Sequence, residues 1–117
     1  MSTASVYKGT TAVLLQALLA AHANGVLEHV LSDLRSGTPE LVANVERRLT
    51  SAAGKSGRFV GEMHEIATTQ AAAGLTPALF DAIAEVYEML SESRLVRANP
   101  EDAPQDLPLP ELLSKAR

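Results

Sequence analysis

The 117-residue sequence contains no cysteine and no tryptophan, and its only aromatic rings besides histidine are Tyr7, Phe59, Phe80 and Tyr87. Without cysteine there can be no disulfide, no thiolate nucleophile and no cysteine metal site, which suits a reducing cytoplasm. With so few rings the core must be built from Ala and Leu, which pack helices closely and enclose no large cavity. No run alternates apolar and polar residues with period two, so strands are not expected and the chain reads all-α. A glycine-rich dinucleotide fingerprint is also missing. Gly54-Lys55-Ser56-Gly57 lacks the upstream glycine of a phosphate loop and follows no strand. Basic blocks are absent too: the net charge is −4, Lys and Arg are scattered, and Arg47-Arg48 is their one adjacent pair. No nucleic-acid partner is therefore expected.

What the chain does have is the stretch Ala12–Ala23, in which nearly every residue is a good helix former. Val13, Leu14, Leu15, Ala17, Leu18, Leu19, Ala20 and Ala21 spread over most of the circumference. A helix apolar all round must be buried all round. One small domain covers about two sides of it, so a second copy or a second domain is expected to cover the remainder. The run falls short of the roughly 20 residues that span a bilayer. Lys8, the apolar run and Ala21-His22-Ala23 imitate a secretory signal, but Gln16 interrupts the run and cleavage would remove the strongest helix. The expected setting is cytoplasmic, with no membrane partner.

Helix signals continue along the chain. The first helix should start near Ser2–Ser5 and stop at Asn24-Gly25. A second, Val26–Arg35, carries Val26, Leu27, Val30, Leu31 and Leu34 on one face and ends at Ser36-Gly37. Thr38-Pro39-Glu40 opens a third with a capping hydroxyl, proline at the first helical position and an acid in the first turn. Its buried stripe is Leu41, Val42, Val45 and Leu49, while Glu46, Arg47 and Arg48 face water. Gly54-Lys55-Ser56-Gly57 reads as a hinge or tight turn. A fourth helix runs from about Arg58 to Ala73 with Phe59, Met63, Ile66 and Gln70 inside, closed by Gly74. A fifth starts at Thr76-Pro77 with Leu79, Ile83, Val86 and Leu90 inside, flanked by Phe80 and Tyr87. Residues 1–95 thus form one helical domain of about five main helices. Residues 96–117 form a tail in which Pro100, Pro104, Pro108 and Pro110 impose an extended path. A terminal amphipathic turn docks Leu109, Leu112 and Leu113 on the domain.

Three pieces are more specific than their periodicities. They are Tyr7-Lys8-Gly9-Thr10-Thr11-Ala12-Val13-Leu14-Leu15, Gly57-Arg58-Phe59-Val60-Gly61-Glu62-Met63-His64-Glu65-Ile66-Ala67, and Ala72-Ala73-Gly74-Leu75-Thr76-Pro77. In this order they resemble the helical C-terminal domain behind a 6-phosphogluconate-dehydrogenase-like NAD-binding domain, in the β-hydroxyacid dehydrogenase superfamily. The resemblance covers about residues 2–92. It implies a substrate-closing and dimerising domain of an NAD(P)-dependent oxidoreductase acting on a small hydroxy acid or related compound. NAD or NADP would be bound by a domain absent from this chain, in the same or a neighbouring polypeptide, and the chain alone would not transfer hydride.

By the spacing of this branch, the place of the superfamily's catalytic lysine falls at or just before Met1. Lys8 lies about two turns later and matches the branch's Lys-Gly pair. It is the chain's one candidate for that role. Where the wider superfamily carries Lys-Asp, this sequence has Gly61-Glu62, so the acid survives without the lysine. Lys8, Thr10 and Glu62 are accordingly the candidate substrate-binding residues. The plain alternatives are a solvated Lys8, a Thr10 bonded to its own helix, and an Arg58–Glu62 surface pair four residues apart. His22, His29 and His64 sit on three different helices, and Thr68 replaces the second histidine of H-E-x-x-H, so no metal set assembles. Two further readings come from other classes: a stand-alone helical dimerisation or adaptor module without activity, and a helix-turn-helix regulator through Val26–Leu49, which the acidic charge disfavours.

Overall fold

Helix propensity dominates the described residues, which form seven helices, about five of them main ones. The structure, a computed structural model, describes residues 2–97 and 107–117, and of Ser2 and Arg97 only the backbone. No strand occurs among the described residues. In chain order the helices are α1 (Ser2–Ala23), α2 (Leu27–Gly37), α3 (Pro39–Val42), α4 (Val45–Ala72), α5 (Ala78–Ser91), α6 (Arg94–Arg97) and α7 (Leu109–Lys115). The extended path expected around Pro100 and Pro104 lies outside the described residues. Among those described, no helix is long and apolar enough to cross a membrane.

Glycine ends two of these helices by the same device. Gly25 and Gly74 have φ of 73° and 83°, a region open to glycine without a Cβ clash. After α1 the Val26 N–H bonds the Ala21 carbonyl at 2.9 Å and the Gly25 N–H bonds His22 at 3.2 Å. After α4 the Leu75 N–H bonds Gln70 at 2.9 Å and the Gly74 N–H bonds Ala71 at 3.0 Å. Both are Schellman motifs, which satisfy carbonyls the helix leaves open. The Thr76 hydroxyl then accepts the Ala78 N–H at 3.2 Å and caps α5 as expected.

The expected hinge does not form. α4 passes straight through Gly54-Lys55-Ser56-Gly57 as one 28-residue helix. Its buried stripe is unbroken across the glycines: Ala52, Ala53, Ser56, Phe59, Met63, Ile66 and Ala67 all face inward. Ser56 is buried without penalty because its hydroxyl donates to the Ala53 carbonyl at 2.7 Å. Gly54 and Gly57 lie on the outer face, with nothing within 4 Å of where a Cβ would stand. Each costs the helix about 1 kcal/mol of propensity, and burial of a single Phe or Met returns about 1.5–3 kcal/mol. Packing wins.

The break falls earlier, at Asn44, whose φ of 54° is left-handed. Asn tolerates that region better than most residues. It separates the one-turn α3 from α4 and divides the stripe read as a single helix. Thr38 does not cap α3; its hydroxyl points back toward the Leu34 carbonyl at 3.5 Å. Arg48 is not wholly solvated either, since its guanidinium donates to the Leu41 carbonyl at 2.7 Å and ties α3 to α4.

α4 and α5 form an antiparallel hairpin and share the most extensive packing in the fold. The inner face of α5 is turned from the expected one: Phe80, Ile83, Ala84, Tyr87 and Leu90 are buried, while Leu79 is 54% exposed. The i, i+3, i+4, i+7 stripe that contains both rings buries more area than the stripe through Leu79 and Val86, so the rings go inside. α1 lies against α5 and α4, and Leu14, Leu15, Leu18 and Leu19 enter the core. Its opposite face stays open, with Val13 61% exposed and Ala17 and Ala20 beside it. α7 docks as expected, burying Leu109, Leu112 and Leu113. Arg94 donates to the Ser114 carbonyl at 2.8 Å and His22 hydrogen-bonds the Ser114 hydroxyl at 3.2 Å, which holds α7 to α1 and α6.

Candidate functional site

Lys8 and Glu62 stand 54 positions apart in sequence, and the fold joins them in an ion pair. Lys8 occupies the second turn of α1 and Glu62 the middle of α4. The α4–α5 hairpin supplies what lies between. Lys8 Nζ sits 4.4 Å from the centroid of the Phe59 ring, within the range of a cation–π contact. Phe59 in turn receives Tyr87 edge-on, with centroids 5.2 Å apart and planes at 77°. The Tyr87 hydroxyl donates to the main-chain carbonyl of Lys8 at 2.5 Å. Lys8 is thus fixed by its own backbone on one side and by ring and carboxylate on the other.

The pair remains open to solvent, with 25% of the Lys8 side chain and 35% of the Glu62 side chain exposed. A second cation approaches the other carboxylate oxygen: Arg58 Nε lies 3.8 Å from Glu62 Oε1, the four-residue pair expected from sequence. Glu62 therefore serves two cations, and the cluster carries a surplus positive charge. An incoming carboxylate or phosphate can take up that surplus at Lys8 as a point charge. Burial pushes the Tyr87 hydroxyl well above the ordinary tyrosine range, so it remains a donor and does not act as a base.

Thr10 is exposed and lines, with Lys8, a groove of about 600 Å3 between α1 and the first half of α4. The hydroxyl of its neighbour Thr11 donates to the Tyr7 carbonyl of its own helix at 2.9 Å. The structure thus places all three sequence candidates around one corner of the domain. Lys8 and Glu62 are in contact, and Thr10 is on the groove beside them.

Sequence reasoning missed what else lines that groove. Arg47, Arg48 and Lys55 face it together with Lys8, so cations scattered in sequence converge in space. The signal was the four-residue step Arg47, Ser51, Lys55, hidden once Gly54–Gly57 was read as a break. It also missed the 2.8 Å contact of His64 Nδ1 with Asp81 Oδ1, which crosses from α4 to α5 in the same antiparallel register as Phe59 and Tyr87. Among the described residues no group of His, Asp and Glu could hold a metal ion. No strand is described, so no βα phosphate turn occurs among the described residues.

A family model described as a domain of unknown function (DUF1932) matches residues 21–90, more than half of the chain. Domains of this family occur at the C-terminus of 6-phosphogluconate-dehydrogenase-like proteins. The match takes in α2 to α5 and Glu62 but stops short of Lys8 and Thr10. No curated protein and no solved structure matches the chain.

Proposed function

This chain belongs to the DUF1932 family, and we propose that it is the substrate-closing and dimerising domain of an NAD(P)-dependent oxidoreductase. The substrate class is a small hydroxy acid or related compound. The dinucleotide is held by a separate domain in the same or a neighbouring polypeptide.

The observation that carries this reading is the Lys8–Glu62 pair over Phe59. A purely structural surface pair gains little from a cation–π platform and a backbone clamp. A group that must meet a substrate gains from being held at one place. Lys8 supplies a positive charge for the substrate carboxylate. Glu62 holds the ammonium until the substrate arrives and then keeps its orientation. Thr10 adds a hydroxyl within the same groove. Dimerisation rests on a different face: Val13, Ala17, Ala20, Leu79 and Met89 border an apolar groove between α1 and α5, which a second copy would cover.

The test is turnover in the polypeptide that carries the dinucleotide domain, with Lys8→Met and Glu62→Gln as variants. Turnover lowered at least about tenfold with the assembly intact, close to 1.4 kcal/mol of transition-state stabilisation, supports the reading. Unchanged turnover in both variants turns it down in favour of an inactive dimerisation or adaptor module.

A further inference from the structure

The groove between α1 and α4 gathers four cations in a protein of net charge −4, and none of its lining residues is a carboxylate. Lys8 is matched by Glu62, and Arg48 is engaged by the Leu41 carbonyl, which leaves its charge uncancelled. Arg47 and Lys55 form no ion pair among the described residues. They stand eight residues apart with Ser51 midway, so one stripe of α4 presents a cation, a hydroxyl and a cation over about 12 Å. Arg47 and Arg48 also sit in the first turns of α4, at the positive end of the helix dipole, where cations are disfavoured. Glu46 shares that turn but does not line the groove. Positive charge is thus concentrated at this end of α4 against the local field, and of the four cations only Lys8 has a carboxylate partner among the described residues.

We propose that this groove is a binding site for the dianionic phosphate group of a small molecule, clamped by Arg47 and Lys55 with the Ser51 hydroxyl between them. A planar guanidinium offers paired donors to two phosphate oxygens, and the lysine adds a point charge. Thr10 and the exposed Tyr7 on the facing wall leave room for the uncharged part of the molecule. That this ligand is the oxidised substrate rests on the function proposed above; the binding itself does not.

The test is an amide-resolved NMR titration of the 117-residue chain with inorganic phosphate, at constant ionic strength set with sodium chloride. The expected result is a saturable shift confined to residues 47–55 and 8–11, weakened at least about tenfold in the Arg47→Gln, Lys55→Gln double variant. Both side chains are exposed, so the variant keeps its fold, and Ser51→Asp provides a second block by placing a carboxylate in the groove. Two further probes separate the sources. Tighter binding of 3-phosphoglycerate than of phosphate assigns the group to a substrate, and tighter binding of adenosine 2′-phosphate assigns it to a cofactor. A shift that does not saturate, or one that persists unchanged in the double variant, overturns the site. That failure would leave the turnover experiment on Lys8 and Glu62 standing, and the converse also holds.

Discussion

The Tyr87 hydroxyl reaches across the domain and donates to the main-chain carbonyl of Lys8, joining α5 to α1 at 2.5 Å. A carbonyl inside a helix still has a second lone pair, and a buried phenol needs an acceptor. The bond meets both demands and fixes where Lys8 leaves the helix. The cation over Phe59 and the pair with Glu62 then follow from that position.

Tyr87→Phe removes this bond and leaves one buried carbonyl lone pair idle, a loss of about 1–2 kcal/mol. Thermal denaturation at pH 7 should show a melting temperature lower by several degrees. The same variant changes the alkaline limb. The Tyr87 pKa is raised by burial above its ordinary 10.0, so the folded state keeps a proton that the unfolded state loses. Stability is then constant below about pH 10 and falls as pH rises toward the folded value. In the phenylalanine variant this part of the fall disappears, which denaturant titrations between pH 9 and pH 11 would read.

Lys8 and Glu62 are partly solvated, so their pair contributes little to stability, about 0.5–1 kcal/mol. A double-mutant cycle on Lys8→Met and Glu62→Gln, followed by urea denaturation, should give a coupling energy in that range. A coupling several times larger would show that the pair holds the fold and would weaken the case that it awaits a substrate.

Two substitutions on α1 separate the core from the proposed interface. Leu18 is fully buried within the single chain. Leu18→Asp places an unpaired charge there, costs about 4 kcal/mol or more and unfolds the protein as judged by circular dichroism. Val13 is 61% exposed on the other face. The proposed dimer predicts that Val13→Asp keeps full helicity while halving the mass seen by light scattering. Retention of the dimer in a folded Val13→Asp protein would move the interface off α1.

Gly54 and Gly57 lie in the interior of α4 facing solvent, with open space at the Cβ position. Gly54→Ala and Gly57→Ala should each stabilise the protein by about 0.5–1 kcal/mol. Gly74→Ala should do the opposite, since its φ of 83° strains any Cβ, at a cost of about 1 kcal/mol. Melting temperatures of the three variants test the continuity of α4 directly.

Much of the fold was legible in short stretches of sequence, because the signals are local. Gly25 and Gly74 end helices by taking the left-handed conformation, which glycine adopts without a Cβ clash. Thr76 caps α5 through a hydroxyl two residues from its donor. Leu109, Leu112 and Leu113 share a face at helical spacing and dock accordingly. The helical character of most described segments is of this kind, a sum of residue preferences.

What sequence alone misjudged depends on distant partners. Four residues, Gly54-Lys55-Ser56-Gly57, favour a break by propensity, yet the stripe on either side packs α4 against α5 and carries the helix through. Leu79 and Phe80 are both apolar, and packing across the hairpin, where Tyr87 meets Phe59, decides that the stripe holding Phe80 and Tyr87 turns inward. The site is decided the same way. Lys8, Thr10 and Glu62 can each be singled out by residue type, but their meeting at one corner depends on how α1 lies on the hairpin. The convergence of Arg47, Arg48 and Lys55 on the same groove appears only once α4 is continuous. Local preference determined which segments are helices. Burial of area between segments far apart in sequence carried α4 unbroken through its glycines and decided which faces turn inward and which charges meet.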